Sequence, residues 1–173
     1  MKKDNWILKA FLMTFFIALF FSGTSNLIVN KFNFLTLIIL TIIIILIGII
    51  FDMIGTAVLT ASEPSFHAKS AKKIKGAKET IYLIKNQNKI ASICNDVIGD
   101  ICGIISGSLG AMISLNLNSI LNINITIITL LVSSIISSLT VGGKAAGKKT
   151  AIKKSDNIIF IVGKIIYKFK RKK

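Results

Sequence analysis

Long apolar runs alternate with short polar or lysine-rich stretches along this chain. A helix needs about 20 mostly apolar residues to cross the hydrocarbon core of a bilayer. Four segments meet that requirement, and we predict that each forms a transmembrane helix. They run from about Trp6 to Val29, from Phe34 to Ala61, from Ile90 to Leu115 and from Ile120 to Gly142. The pattern therefore predicts an all-α membrane protein.

The positions of the basic residues predict the orientation of these helices. Apart from Lys31, every basic residue lies at or before the start of the first span, between the second and third spans, or after the fourth. Lys and Arg concentrate in the cytoplasmic loops of membrane proteins. We therefore expect both termini in the cytoplasm, the protein in the plasma membrane, and the uncharged segment Asn116 to Ser119 as an outer loop.

The composition supports a membrane protein. Hydrophobic residues make up 53% of the chain and charged residues 17%, with a formal net charge of +15. Soluble domains have about 25% charged residues, so soluble and disordered classes are excluded. Such an excess of positive charge indicates either nucleic acid or an anionic membrane surface as a partner. Because the lysines flank the apolar spans, we expect anionic lipid at the cytoplasmic face and no nucleic acid.

Two shorter segments are predicted as amphipathic helices at the cytoplasmic interface. In residues 62–89, Ser62 is expected to cap a helix in which apolar residues at helical spacing lie opposite lysines. Gly76 is a point where that helix can bend. In residues 156–169, the apolar run is too short to span a bilayer and leads into a basic tail.

The chain is expected to divide into residues 1–33, a first transmembrane helix with its outer loop, and residues 34–173, a three-span domain. Met1-Lys2-Lys3 followed by an apolar run is also typical of a secretory signal peptide. No A-x-A cleavage site is evident near Phe21 to Ser25. We therefore expect the first helix to be retained. Its cleavage would leave the orientation of the other three spans unchanged.

Carboxylates within the spans are the candidate functional groups, since an ionisable side chain inside a membrane is energetically costly. Asp52 and Asp100 both lie about 13 Å from the cytoplasmic ends of their helices at 1.5 Å per residue. Asn95 adds an amide oxygen near the same depth, and Asp96 lies one turn closer to the interface on the same helix face as Asp100. Oxygen ligands without histidine or thiolate favour a hard cation such as Mg²⁺. The alternative is that these aspartates are neutral or pair with lysines at the inner boundary (Lys89, Lys144 or Lys148).

Small and hydroxyl residues recur on the last two predicted spans. Gly99, Gly103 and Gly107 form small-xxx-small steps that allow another helix to approach closely. The partner is either a helix of the same monomer or a second copy in a homodimer. The fourth span has a row of hydroxyl residues, which either bond neighbouring helices or line a hydrated path: Thr126, Thr129, Ser133, Ser137 and Thr140.

No pattern in the sequence indicates catalysis. Cys94 and Cys102 are too far apart along one helix to form a disulfide, and His67, the single histidine, gives no soft-metal site. The sequence contains no Walker motif, G-x-G-x-x-G motif or paired nucleophile and base. We therefore expect a protein that is not an enzyme and that needs no cofactor, with Mg²⁺ as a transported or bound ion.

From Phe51 to about Phe169, the sequence resembles the transmembrane domain of the CorB/CorC and cyclin M (CNNM) family of magnesium and cobalt transporters. Gly55-Thr56-Ala57 stands at the family's Glu-Thr-Ala position, and Gly99-Asp100 lies near its Gly-Asn position. Lys148 to Ala151 resembles its Pro-Lys-Thr-x-Ala end. Gly55 replaces the family's intramembrane glutamate, although Asp52 precedes it on the same helix face. The family's CBS domains have no counterpart in these residues.

The resemblance implies a membrane protein for transport of Mg²⁺ or Co²⁺, or one related to transport. The candidate ligands are Asp52, Asn95, Asp96 and Asp100. The departures from the family favour an alternative of another class, in which the protein is a non-transporting structural or regulatory membrane protein that associates with a partner.

Overall fold

The described part of the chain is entirely helical. The computed structural model describes residues 33–170 together with seven earlier positions: Leu8, Phe11, Leu12, Phe15, Phe16, Leu19 and Phe20. Those seven positions are helical and exposed, but most of the first predicted span, Trp6 to Val29, lies outside the described residues. The predicted all-α fold is confirmed for the described part of the chain.

Seven α-helices and one π-helix follow one another within residues 33–170. They are α1 (Phe34–Thr60), α2 (Glu63–Ala71), α3 (Ala77–Lys85), α4 (Gln87–Ser92), the π-helix (Ile93–Ile98), α5 (Gly99–Leu121), α6 (Ile125–Lys153) and α7 (Ser155–Lys170). Three helical stretches in this range are long and apolar enough to cross a membrane: α1, the continuous stretch Gln87–Leu121, and α6. They correspond to the second, third and fourth predicted spans.

These helices form two compact units. The first unit comprises the described residues up to Gly48 together with Val97–Gly143, and the second comprises Ile49–Asp96 together with the described residues from Lys144 onward. The second unit therefore contains the second half of α1, the π-helix up to Asp96 and the end of α6, in addition to α2, α3, α4 and α7.

Close contacts between helices hold the first unit together. A Cβ placed on Gly48 of α1 would lie 3.1 Å from the Cβ of Cys102 on α5. A Cβ placed on Gly110 of α5 would lie 2.5 Å from the Cδ1 of Ile136 on α6. A side chain at either glycine would need a small shift of Cys102 or a rotation of the Ile136 side chain, so the two glycines allow the helices to approach closely. The buried cluster of this unit contains Leu37, Met112 and Ile113.

The second unit has the larger apolar core. Phe66 of α2 and Ile159 of α7 are fully buried in it, and α3 packs against α7 at Gly163. A Cβ placed on Gly163 would lie 2.8 Å from the carbonyl oxygen of Gly76. The other buried members of the cluster are Ala57, Val58, Leu83, Ile84, Ala91 and Ala151.

The predicted basic helix of residues 62–89 is divided by a turn between α2 and α3. Lys73 and Gly76 have φ angles of 54° and 89°, in the left-handed region that ends an α-helix. A Cβ on Gly76 would also lie 2.8 Å from the backbone nitrogen of Lys164. The bend expected at Gly76 is therefore a break between two helices.

The start of α2 is capped by α7. Ser62 occupies the N-cap position, but its side chain makes no capping hydrogen bond. Instead, the backbone N–H of Ser62 donates to Oδ1 of Asp156 at 2.8 Å, and the hydroxyl of Ser65 donates to Oδ2 at 3.2 Å. The predicted N-cap position of Ser62 is confirmed, but its side chain does not make the capping hydrogen bond, and the start of α2 is tied to α7 through Asp156 instead.

The prediction of a loop at Asn116 to Ser119 is also wrong. These residues belong to α5, and the turn comes later, around Asn122, whose φ is 50°. The amide of Asn116 donates to the carbonyl of Met112 at 3.1 Å, and the hydroxyl of Ser119 donates to the carbonyl of Asn116 at 2.7 Å. Polar side chains satisfied by their own helix do not interrupt it, and the fourth span begins at Ile125 instead of Ile120.

Candidate functional site

Asp52 lies within the second unit, on the otherwise apolar helix α1. It is 4% exposed, and its Oδ2 is buried with no hydrogen-bond partner among the described residues. Burial of an ionised carboxylate is costly unless another group balances its charge and donates hydrogen bonds to it. The surroundings of Asp52 therefore define what this carboxylate can bind.

A lysine on α6 balances the charge of Asp52. The Nζ of Lys148 lies 3.9 Å from Oδ2 of Asp52, and the Lys148 side chain is 53% exposed. A charge-assisted hydrogen bond between such groups has a length of about 2.7 to 2.9 Å, so this contact is an ion pair that leaves Oδ2 without a hydrogen bond. Of the three lysines predicted as pairing partners, the structure places Lys148 beside Asp52.

The glycine before Lys148 explains how α6 comes so near to α1. A Cβ placed on Gly147 would lie 2.8 Å from Cγ of Met53 and 3.2 Å from Cγ2 of Ile49. A larger side chain at this position would push the two helices apart. The next residue, Lys148, is consequently held beside Asp52.

A second unpartnered oxygen lies beside the same face of α1. Asn95 packs against Gly55, where an added Cβ would lie 2.6 Å from Cγ of Asn95 and closer still to its Oδ1. That Oδ1 is buried and has no hydrogen-bond partner among the described residues. Because Gly55 follows Asp52 by three positions, the two residues share one face of α1. The structure thus brings Asn95 to the surface of α1 that contains Asp52.

The π-helix determines which of the two polar neighbours, Asn95 and Asp96, faces the interior. Asp96 is exposed, and its Oδ2 accepts a hydrogen bond from the hydroxyl of Ser92 at 2.8 Å. π-helices are rare and occur frequently at functional sites. The prediction that Asp96 and Asp100 share a face assumed α-helical spacing, which does not hold in residues 93–98.

Asp100 is the fourth predicted ligand. It lies in the first unit, in the first turn of α5, and it is exposed. Of the four predicted ligands, only Asp52 and Asn95 therefore contribute buried oxygens to the second unit. Sequence reasoning did not identify Gly147 as the residue that positions Lys148. Gly147 follows the fourth predicted span, and the neighbouring Gly143-Lys144 pair has the same pattern, so the sequence gives no signal that singles it out.

Of the three predicted glycines of α5, Gly103 and Gly107 line an open groove of about 290 Å³ in the first unit, between α5 and α6, whereas Gly99 is buried. A Cβ placed on Gly103 or Gly107 would meet nothing within 4 Å, whereas Gly110 packs against Ile136. The described part of the chain therefore offers no helix in close contact with Gly103 or Gly107. On α6, the hydroxyl of Ser133 donates to a carbonyl of its own helix instead of a neighbouring one.

The surface of the second unit is both basic and apolar. The Nζ atoms of Lys69 and Lys164 lie 4.8 Å and 4.3 Å from the centroid of the Phe160 ring, which is the geometry of a cation–π interaction. On α7, Ile161 and Ile165 are exposed, while Ile159 and Gly163 are buried. Helix α7 therefore has apolar residues on its outward face as well as on the face that packs against α3.

No protein-family model, no curated protein and no solved structure matches this chain. The described residues define an all-helical protein with three helices long and apolar enough to cross a membrane. They contain no group of three or more His, Cys, Asp or Glu side chains placed to hold a metal. A cation bound at Asp52 would therefore need neutral oxygen atoms or water as further ligands.

Proposed function

We propose that this chain is a multi-pass protein of the plasma membrane with four transmembrane helices and cytoplasmic termini. The three long apolar helices and the apolar run from Trp6 to Val29 support the number of spans. The restriction of all basic residues except Lys31 to one side supports the orientation. Helix α7 and the α2–α3 segment lie at the cytoplasmic interface on anionic lipid, since exposed isoleucines and lysines occur together on α7.

For the activity, we propose binding and transport of a divalent cation of the Mg²⁺ type, or a role related to such transport. One observation supports this most strongly: Oδ2 of Asp52 and Oδ1 of Asn95 are both buried and without hydrogen-bond partners. An unsatisfied buried polar atom destabilises a protein by about 1 to 3 kcal/mol. Proteins keep few such atoms, so two beside one face of α1 indicate a ligand that they bind.

The donor chemistry fits a hard cation. Mg²⁺ is bound through oxygen atoms, keeps several of its waters, and needs only one or two carboxylates. Asp52 supplies the carboxylate and Asn95 the neutral oxygen, and Co²⁺ can use the same oxygen ligands. Asp96 and Asp100, which are exposed, are not required as ligands in this arrangement.

A second candidate function is that of a non-transporting structural or regulatory membrane protein. The ion pair between Asp52 and Lys148 favours it, because the charge of the carboxylate is already balanced. In this hypothesis, the groove along Gly103 and Gly107 receives a helix of a partner or of a second copy in a homodimer, and Gly99, which is buried, takes no part in that interface.

Flux measurements separate the two functions. Purified protein is reconstituted in proteoliposomes, and Mg²⁺ or Co²⁺ uptake is followed with an internal indicator. Asp52→Asn should abolish uptake and Asn95→Ala should reduce it, whereas Glu79→Gln, a carboxylate-to-amide control on α3, should leave it unchanged. Absence of uptake by the folded wild-type protein under every gradient would exclude transport and leave the structural or regulatory function.

A further inference from the structure

We propose that Lys148 is a built-in competitor of the cation at Asp52. In the absence of a divalent cation, the ammonium group of Lys148 neutralises the carboxylate, and on cation binding the side chain moves away toward solvent with its proton retained. This inference rests on the proposed function, because it assumes that the cation binds at Asp52.

The geometry of the pair makes the lysine its mobile member. The side chain of Asp52 is only 5% exposed, whereas that of Lys148 is 53% exposed, and 3.9 Å separates Nζ from Oδ2. No hydrogen bond to Oδ2 holds the ammonium group in place. The flexible four-carbon stem of a lysine allows its head group to rotate without movement of the backbone. The carboxylate is therefore held in place, while the ammonium group is not.

The backbone beneath Lys148 is anchored. Gly147 packs against Ile49 and Met53, with no space for an added Cβ. Helix α6 therefore need not move when the side chain of Lys148 changes its rotamer. Exchange between ammonium and cation requires only side-chain rotation, which keeps the ligand oxygens of Asp52 and Asn95 where they are.

Electrostatic repulsion prevents the ammonium group of Lys148 and a divalent cation from occupying the site at Asp52 together. Two positive groups within about 4 Å of one buried oxygen repel each other strongly at low dielectric constant. A divalent cation at Oδ2 therefore displaces the ammonium group, and the ammonium group reduces the apparent affinity for the cation. If the lysine neutralises the site about nine-tenths of the time, the apparent affinity falls about tenfold. Removal of the lysine should therefore raise the apparent affinity for the cation about tenfold.

The first test measures binding and stability in nanodiscs that contain the full chain. Thermal unfolding is followed in EDTA and during a Mg²⁺ titration for wild type, Lys148→Gln and Lys149→Gln, the last being a matched control at the adjacent exposed lysine. In EDTA, Lys148→Gln should unfold at a lower temperature than wild type, and addition of Mg²⁺ should raise its unfolding temperature again. Its affinity for Mg²⁺ should be about tenfold higher than that of wild type. Lys149→Gln should match wild type in all three properties.

A second test uses only the wild-type fold and so does not depend on the folding of a lysine variant. An amine-reactive reagent is applied with and without Mg²⁺, and labelling of each lysine is measured by mass spectrometry. Mg²⁺ should increase the labelling of Lys148 and leave that of Lys149 unchanged. In Asp52→Asn, labelling of Lys148 should already be high and should not respond to Mg²⁺.

The outcomes distinguish this inference from the function on which it rests. If Mg²⁺ binds wild type and Lys148→Gln equally well, and labelling of Lys148 does not change, the exchange is refuted while cation binding stands. If Mg²⁺ binds neither protein, the proposed function fails, and the exchange fails with it. In that case, a double variant Lys148→Gln/Asp52→Asn that is more stable than Lys148→Gln alone would identify the contact as a purely structural ion pair.

Discussion

Replacement of Gly163 by alanine tests the closest helix contact in the second unit. The added Cβ would contact Oγ1 of Thr80 most closely and would lie 2.8 Å from the carbonyl oxygen of Gly76. Thr80 is fully buried, and its hydroxyl donates a hydrogen bond of 2.8 Å to that same carbonyl. The methyl group therefore either separates α7 from α3 or breaks this buried hydrogen bond.

Opposing effects set the size of the change. Overpacking of a close contact destabilises by about 1 to 3 kcal/mol, and the loss of a buried hydrogen bond adds about 1 kcal/mol. Alanine in place of glycine within a helix stabilises by about 1 kcal/mol. The net expectation for Gly163→Ala is a loss of about 1 to 3 kcal/mol in the free energy of unfolding. The steric effects outweigh the helix propensity.

A matched control changes only the helix propensity. Gly142 on α6 has nothing within 4 Å of an added Cβ among the described residues, so Gly142→Ala should be neutral or stabilising by up to about 1 kcal/mol. Both variants are compared with wild type by chemical unfolding in the same detergent, followed by circular dichroism. A stability of Gly163→Ala equal to or above that of wild type would refute the close packing of α7 on α3.

Three further changes have expected outcomes. Asp156→Ala should destabilise the protein by about 1 to 2 kcal/mol in the same unfolding assay, because it removes the acceptor that caps α2; unchanged stability would contradict that cap. In detergent, with the protein monodisperse, Gly110→Leu should lower the unfolding temperature, whereas Gly103→Leu should not. Equal effects of the two variants would mean that the groove is closed in solution. Gly55→Ala should displace the Asn95 side chain and weaken Mg²⁺ binding in a titration, and unaltered affinity would remove Asn95 from the site.

The apolar runs were sufficient to predict the long helices of the described chain. The second predicted span, Phe34 to Ala61, differs from α1 by one residue at its end, because a long and mostly aliphatic run leaves few alternatives to a helix in a membrane. Where polar residues interrupt the pattern, the prediction was less accurate. Asn116 and Ser119 were assigned to a loop because they are polar, but each bonds to a carbonyl of its own helix.

Small residues were a weaker guide, since a glycine permits a close approach but does not specify where one occurs. Gly103 and Gly110 both belong to the row of small residues on α5, yet only Gly110 packs against a neighbour among the described residues. The difference depends on Ile136 of α6 lying opposite Gly110, which no periodicity within α5 reveals. The same limit applies to Gly147, whose role depends on Met53 of another helix.

The π-helix explains why the candidate site could be predicted only in part. The type of each polar residue in 93–98 is visible in the sequence, but no residue pattern indicates the wider helical turn that orients them. With α-helical spacing, Asp96 is the natural companion of Asp100. With the π-helix, Asn95 is the residue packed against α1, and Asp96 bonds to Ser92 on the surface. An irregular turn that leaves an amide oxygen buried and unsatisfied is locally unfavourable, which is the kind of feature that persists where function requires it.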